Sequence, residues 1–307
     1  MRYRYLLADV FTEHRFGGNP LAVFPHGSGL DSATMQAVAR ELNLSETVFV
    51  LPPDDPAHTC RLRIFTPTVE LPFAGHPTVG SAFLLASDGF IKLSGGDTRI
   101  VFEEGVGAVP VTISQRAGAP LFAQFTTARL PSFGSEAPSI DALAAVLSLQ
   151  PDDVLDGRFA PQVASCGVPF LMVGLRGRAA LRRARFDLGR SETLLSGFAV
   201  AEFFAFTLQP ETANVDVSAR MFAPAIGVVE DPATGSAAAA LAGYLALRDA
   251  RTSTTLRWRV EQGVDMGRPS LIELEADKQG DAISAIRVGG ASVWVGEGQL
   301  ELPMDLG

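Results

Sequence analysis

Two short segments of the chain set a polar residue directly before a proline at the entrance of a small-residue helix. In "FAGHPTVGSAFLLAS" the pair is His76 and Pro77; in "VVEDPATGSAAAALAGYL" it is Asp231 and Pro232. Proline is tolerated in a first helical turn because its missing N–H has no intrahelical partner there, and it holds the residue before it extended. Gly80 and Gly235 follow, and glycine lets a backbone come close to a ligand. Both helices are apolar on every side and have to be buried. A buried helix N-terminus leaves backbone N–H groups in need of partners, supplied by the chain or by a ligand. Two such N-termini with a histidine and an aspartate at their rim would suit a carboxylate, each helix end contributing about 0.3–1 kcal/mol. Taken singly, Asp231 also reads as an N-cap worth about 1 kcal/mol, and His76 as a hydrogen-bonded loop histidine.

The segments belong to a longer match between the halves. RIFTP (Arg63 to Pro67) precedes PTVGSA (Pro77 to Ala82); RMFAP (Arg220 to Pro224) precedes PATGSA (Pro232 to Ala237), at offsets of 157 and 155 residues. Each time a strand ends in Phe-x-Pro, a loop follows, and a helix opens. The repeated order predicts a domain duplication with the two helix N-termini facing one cleft. Around these helices the chain is strand-rich. "RYRYLLADVF", "NPLAVFP", "ETVFVLPP" and "CRLRIFTP" are short, partly alternating and bounded by Gly, Pro or Asp. "DSATMQAVARELN" reads as a helix capped by Asp31 with Met35, Val38, Ala39 and Leu42 on one face. In the second half, strands are expected at "LFAQFTTA", "PFLMVGL", "FFAFTLQ", "VDVSARMF", "TLRWRVEQG", "SLIELEAD", "ISAIRVGG" and "ASVWVGEG", and helices at "SIDALAAVLS" and "SETLLSGFA". Strands and helices do not alternate regularly, which argues against a doubly wound parallel sheet.

Length and composition exclude several classes. The 307 residues suggest two domains, with 47% hydrophobic and 19% charged residues giving ample core. The net charge of −9, without a basic patch, excludes nucleic acid and anionic membrane as expected partners. The longest apolar run, Ala237 to Leu247, is too short to span a bilayer. "MRYRYLLADVF" turns polar at Asp9 without a small-residue cleavage site, so a cytoplasmic location is expected. Two cysteines, Cys60 and Cys166, are too few for a disulfide framework. Cys60 alternates with Leu62 and Ile64 and reads as a buried strand residue. Lys92 and Lys278 are the only lysines and sit beside turn residues, which disfavours a Schiff base and pyridoxal phosphate. No P-loop, nucleophile elbow or H-E-x-x-H occurs, and Gly105 opens "GVGAVP" before a strand pattern rather than a helix. The four histidines (His14, His26, His58, His76) lack ligand spacing, so no metal and no cofactor is expected.

Four stretches together, "DVFTEHRFGGNPLAVF", "LNLSETVFV", "RIFTPTVELPFAGHPTVGSAFLL" and "MFAPAIGVVEDPATGSAAAAL", closely resemble the PhzF-like family, named for the phenazine-biosynthesis isomerase. The motifs lie in the same order across most of the chain. The resemblance implies an α+β, diaminopimelate-epimerase-like fold: two pseudo-symmetric domains, each a curved, mostly antiparallel sheet around a central helix. The expected division is 1–117, completed by a C-terminal strand at about 292–307, and 118–291, with the active-site cleft between them.

By resemblance Glu46 in "LSETVF" is the general acid/base, taking a proton from one carbon of the substrate and returning it to another. From the residues alone it is one carboxylate among 34 acidic residues, at the start of a strand. Such a base works best with its pKa raised toward neutrality, which burial would do. His76, Asp231 and Ser236 match the family's site positions as helpers that orient the substrate. Gly75 and Gly235 match contributors of backbone N–H groups to the substrate carboxylate, and Asn19 in "GGNPLAV" lies in a loop near the site in related folds. The related racemases carry a cysteine at each helix mouth; here Ala74 and Asp231 stand at the comparable places. The resemblance therefore implies a cofactor-independent isomerase acting on a small carboxylate-bearing substrate, with trans-2,3-dihydro-3-hydroxyanthranilate as the family's named reactant. A one-base epimerase or racemase of an amino or hydroxy acid is the second reading, and a non-catalytic metabolite-binding or interaction module the third. The family often forms homodimers, and the resemblance allows one here.

Overall fold

The short alternating segments become strands, and the small-residue segments become buried helices, in the computed structural model, which describes residues 1–115, 118–134, 137–224 and 227–302. Two compact units emerge: Met1–Ala128 with Val288–Gly307, and Arg129–Arg287. The first holds, in order, β1 (Arg2–Val10), β2 (Asn19–Phe24), α1 (Ser32–Leu42), β3 (Glu46–Leu51), β4 (Cys60–Phe65), β5 (Glu70–Leu71), α2 (Gly75–Ser87), β6 (Asp97–Glu104), β7 (Gly107–Ser114) and β8 (Phe122–Thr126). The second holds β9 (Ser132–Phe133), α3 (Ile140–Val146), β10 (Gln162–Ser165), β11 (Pro169–Gly174), α4 (Arg178–Arg183), α5 (Leu188–Leu194), β12 (Phe203–Thr207), β13 (Val217–Ala223), β14 (Val228–Asp231), α6 (Gly235–Arg248), β15 (Thr255–Gln262) and β16 (Ser270–Gln279). The long β17 (Ala282–Glu301) carries the chain back to the first unit.

In the first unit β1 and β2 pair antiparallel, β2 and β3 parallel, β3 and β4 antiparallel, β4 and β6 parallel, and β6, β7 and β8 antiparallel. β17 pairs with both β1 and β8, which closes the ring of strands. Inside it lies α2, buried along Gly75 to Ala86 and packed against β1, β2, β3, β7 and β8. The second unit repeats the sequence of pairings: β10 and β11 antiparallel, β11 and β12 parallel, β12 and β13 antiparallel, β13 and β15 parallel, β15 and β16 antiparallel. There α6 packs against β10, β11, β15 and β16.

The duplication extends to side chains. Arg63 donates to both Glu70 oxygens (2.8 and 2.6 Å), and its guanidinium lies 5.0 Å from the Phe65 ring centroid. Arg220 does the same with Glu230 (2.7 and 2.8 Å) and lies 4.9 Å from the Phe222 ring. In each half a planar fork ties a strand to the short strand leading to the central helix, stacked on an aromatic face two residues along.

The structural repeat corrects the register read from the sequence. A Cβ on Gly105 would lie 2.7 Å from Pro72 Cα, and one on Gly263 2.6 Å from the Pro232 carbonyl oxygen. The same close backbone approach therefore matches Pro232 with Pro72, not with Pro77. The helices begin at Gly75 and Gly235, an offset of 160 residues. Pro77 lies inside the first turn of α2, whereas Pro232 precedes α6; the shared Gly-Ser-Ala falls at different depths in the two helices. Gly80, paired with Gly235 in the sequence reading, sits where a Cβ would meet Leu21 Cδ2 at 2.5 Å and Val10 Cγ2 at 2.6 Å. Its role is close helix–sheet packing rather than approach to a ligand.

Three further differences have local causes. The strands expected at "ISAIRVGG" and "ASVWVGEG" are one strand, β17. The glycine there does not make a turn: a Cβ on Gly289 would lie 2.7 Å from the Phe122 ring and 2.8 Å from the Ala123 carbonyl, so glycine admits the neighbouring strand. The helix expected at "SETLLSGFA" is α5, displaced toward Asp187, which caps it by accepting from the Arg190 N–H. β8 pairs with β7 and so belongs with the first unit, which continues to Ala128 beyond the residue 117 expected from sequence. The last residues of the expected C-terminal strand, 303–307, lie outside the described residues.

The helix start read at Asp31 is present: its carboxylate accepts from the Thr34 N–H at 2.7 Å, and Met35, Val38 and Ala39 are buried while Leu42 is partly so. Asp31→Ala is expected to destabilise the protein, read as a lower urea midpoint with unchanged slope.

Candidate active site

Three of the residues singled out from the sequence meet in the first unit. Glu46 opens β3 and lies beside Leu21 of β2. Asn19 opens β2 and is fully buried. His76, the second residue of α2, is 2% exposed. Asn19 Nδ2 stands 3.2 Å from His76 Nδ1, and Glu46 Oε2 stands 3.3 Å from His76 Nε2. The Glu46 side chain is only 14% exposed, so the solvated-edge reading of that residue does not hold.

Burial pushes His76 down to about 3, because an imidazolium in that site would lose its hydration. His76 is therefore neutral at physiological pH. With the Asn19 amide donating to Nδ1, the imidazole proton sits on Nε2, on the side of Glu46. His76 is a fixed donor facing a carboxylate and too weak a base to take a carbon-bound proton itself.

The entrance of α2 carries no side-chain cap: Ala74, the N-cap residue, is extended at φ −150° and ψ 134°. Gly75, the first helical residue, is buried. Thr78 bonds back to the Ala74 carbonyl through its N–H and its hydroxyl, and the hydroxyl also lies 2.7 Å from Glu104 Oε1. Glu104, the last residue of β6, escaped the sequence reading. Burial pushes it up to about 8, against the opposing hydrogen bonds from Thr78 and the Ala74 N–H. It is protonated at neutral pH.

In the second unit Asp231 ends β14 and is 5% exposed. It is not the N-cap of α6. That place belongs to Thr234, the counterpart of Ala74, so Asp231 does not stand at the helix mouth as the sequence reading had it. Gly235 and Ser236 are the first two residues of α6, with Gly235 buried and Ser236 partly exposed. They correspond to Gly75 and His76, while Asp231 corresponds to Leu71: Leu71 pairs with Ile64, and Asp231 with Met221. The Thr234 hydroxyl donates to Asp231 Oδ2 at 2.5 Å, and Gln262 bonds to this segment at three points. Gln262 carried no sequence signal, because a strand-end glutamine is unremarkable until its partners are known.

Cys60 and Cys166 are both buried, and burial pushes each thiol up to about 12. Neither is a thiolate base. Among the described residues no group of three or more His, Cys, Asp or Glu side chains could hold a metal ion, and no helix is long and apolar enough to cross a membrane.

The profile of the phenazine biosynthesis-like (PhzC-PhzF) protein family matches residues 8–298. This chain belongs to the PhzF family. A relative in Mesorhizobium japonicum, named an uncharacterized isomerase, is 43% identical over 301 residues, covering 96% of this chain and 98% of the relative. The trans-2,3-dihydro-3-hydroxyanthranilate isomerase of Pseudomonas aeruginosa is 35% identical over 300 residues, covering 98% of this chain and all of that one. A solved structure from Pseudomonas aeruginosa, titled a predicted epimerase, superposes with a TM-score of 0.79 at 34% identity, over 98% of this chain and 100% of that one. The fold is the α+β, diaminopimelate-epimerase-like fold of the PhzF family, and the chain is an isomerase.

Proposed function

We propose that this PhzF-family member is a cofactor-independent isomerase in which Glu46 moves a proton between two carbons of a small carboxylate-bearing metabolite. The observation that carries the reading is the line Asn19–His76–Glu46. A buried amide orients a neutral imidazole, and the imidazole faces a carboxylate that is still partly open to solvent. Glu46 takes the proton from an sp³ carbon, the electron pair shifts through an adjacent double bond, and the protonated Glu46 returns the proton at the far end. The family resemblance assigns the substrate carboxylate to backbone N–H groups of Gly75 and Gly235, and its remaining polar groups to Asp231 and Ser236. The compound to try first is trans-2,3-dihydro-3-hydroxyanthranilate, for which the Pseudomonas aeruginosa relative is named. The likeness to a structure titled as an epimerase favours a second reading, in which Glu46 acts as the single base on an amino or hydroxy acid.

Proton NMR in D₂O separates these readings. Isomerisation moves the olefinic signals, with deuterium appearing at the newly protonated carbon to the extent that Glu46 exchanges with solvent. Epimerisation washes out one α-proton and lowers the optical rotation. Binding of both compound classes without any turnover overturns the enzymatic readings in favour of a metabolite-binding module.

A further inference from the structure

We propose that Gln262 is a positioning residue for Asp231: its side-chain amide turns the Thr234 hydroxyl so that it donates to the Asp231 carboxylate. The inference rests on the role of Asp231 proposed above.

Gln262 ends β15 and is 1% exposed. A primary amide carries two N–H donors and one carbonyl acceptor, and all are used here. Oε1 accepts from the Thr234 backbone N–H at 3.1 Å; Nε2 donates to the Asp231 carbonyl oxygen at 2.8 Å and to Thr234 Oγ1 at 3.0 Å. The partners fix the amide's orientation. Turned over, its NH₂ would face the Thr234 N–H, donor against donor, and its oxygen would face the Asp231 carbonyl.

Because Thr234 Oγ1 already accepts from Gln262, its own proton points elsewhere, and Asp231 Oδ2 lies 2.5 Å away. Donation therefore runs from Gln262 to Thr234 to Asp231, and it keeps Oδ2 an acceptor. The arrangement has a cost. A threonine at an N-cap normally accepts from a first-turn N–H, yet the Thr234 side chain makes no such bond. Its hydroxyl is committed to Asp231 instead.

The first unit supplies an internal control. Glu104 stands in the place of Gln262, because β4 pairs with β6 as β13 pairs with β15. There the N-cap is Ala74, without a hydroxyl, and the counterpart of Asp231 is Leu71, without a carboxylate. All three members of the relay are absent together from the half that lacks the aspartate. Glu104 keeps the acceptor contact to the N-cap N–H, that of Ala74, so closing the strand–helix turn needs no amide; what Gln262 adds is the donor to the Thr234 hydroxyl.

The test compares wild type, Gln262→Leu, Thr234→Val and Thr234→Ser. Gln262→Leu and Thr234→Val are expected to lower kcat about 10–100-fold with KM little changed, by analogy with other groups that orient a ligand-binding side chain. Thr234→Ser keeps the hydroxyl and is expected to retain most activity. The double variant Gln262→Leu/Thr234→Val is expected to be no worse than either alone, since both cut one relay. Independently of turnover, a slowly exchanging Thr234 hydroxyl proton should be visible by NMR in wild type and lost in Gln262→Leu. If that signal persists unchanged in Gln262→Leu, or if Gln262→Leu matches wild type in kcat while Glu46→Gln is inactive, the positioning role is overturned and the proposed reaction stands. If wild type turns over no compound, the proposed reaction fails and the hydroxyl signal alone decides the relay.

Discussion

Glu46→Gln is expected to lower kcat/KM for the proton transfer by about 10²–10⁴-fold, the range over which a positioned general acid/base contributes. Glutamine matches glutamate in shape. The backbone pairing of β3 with β2 does not involve the side chain, and the amide oxygen can still face His76 Nε2. Circular dichroism and the urea midpoint should therefore stay close to wild type, so that the loss reports chemistry rather than folding. The buried neighbour cannot substitute. His76 stays neutral with its pKa held near 3 by burial, too weak a base to abstract a carbon-bound proton at neutral pH. Deuterium incorporation followed by NMR checks the loss. Full activity in Glu46→Gln would sink the mechanism and make Asp231 the next group to test.

Glu104→Gln should stabilise the protein increasingly as the pH rises from about 4.5 to about 8. Folding lifts the Glu104 carboxyl from its ordinary 4.5 to about 8 by desolvation. Across that window the folded state holds a proton that the unfolded state has released. Wild-type stability is therefore complete below 4.5 and is lost as the pH climbs toward 8. At 1.36 kcal/mol per pKa unit the effect is on the order of a few kcal/mol. Glutamine keeps an oxygen for Thr78 and never ionises, and Gln262 fills the corresponding place in the second unit. Thermal melts at pH 4.5 and pH 8 provide the check: near coincidence at the acid end, a clear advantage for Glu104→Gln at the alkaline end. His76 acts in the opposite sense. Its folded pKa lies below the ordinary 6.5, so its contribution is lost as the pH falls from 6.5 toward 3. Equal melting shifts at both pH values would show that Glu104 is not held protonated.

Elements whose signal is local are legible in the chain. The Asp31 cap, the alternation around Cys60, and the all-round apolar character of "SAAAALAGYL" each follow from neighbours within a turn or a strand. The duplication was legible because the Arg-x-Phe strands repeat. So was the PhzF-like resemblance, which supplied Glu46, a residue that local patterning leaves among ordinary acidic side chains. Features that depend on residues distant in the chain emerge only on folding. Asn19, Glu46 and His76 come together because β2, β3 and α2 are neighbours inside one closed sheet, and no spacing rule encodes that. The true register of the repeat, with Pro72 rather than Pro77 matching Pro232, is fixed by the backbone of Gly105 and Gly263 pressing on those prolines. Close contact with Leu21 and Val10 makes Gly80 a packing glycine rather than a ligand-approach one. Glu104 and Gln262 were invisible for the same reason: a strand-end polar residue takes its protonation state and its purpose from burial and from the partners that the fold brings to it.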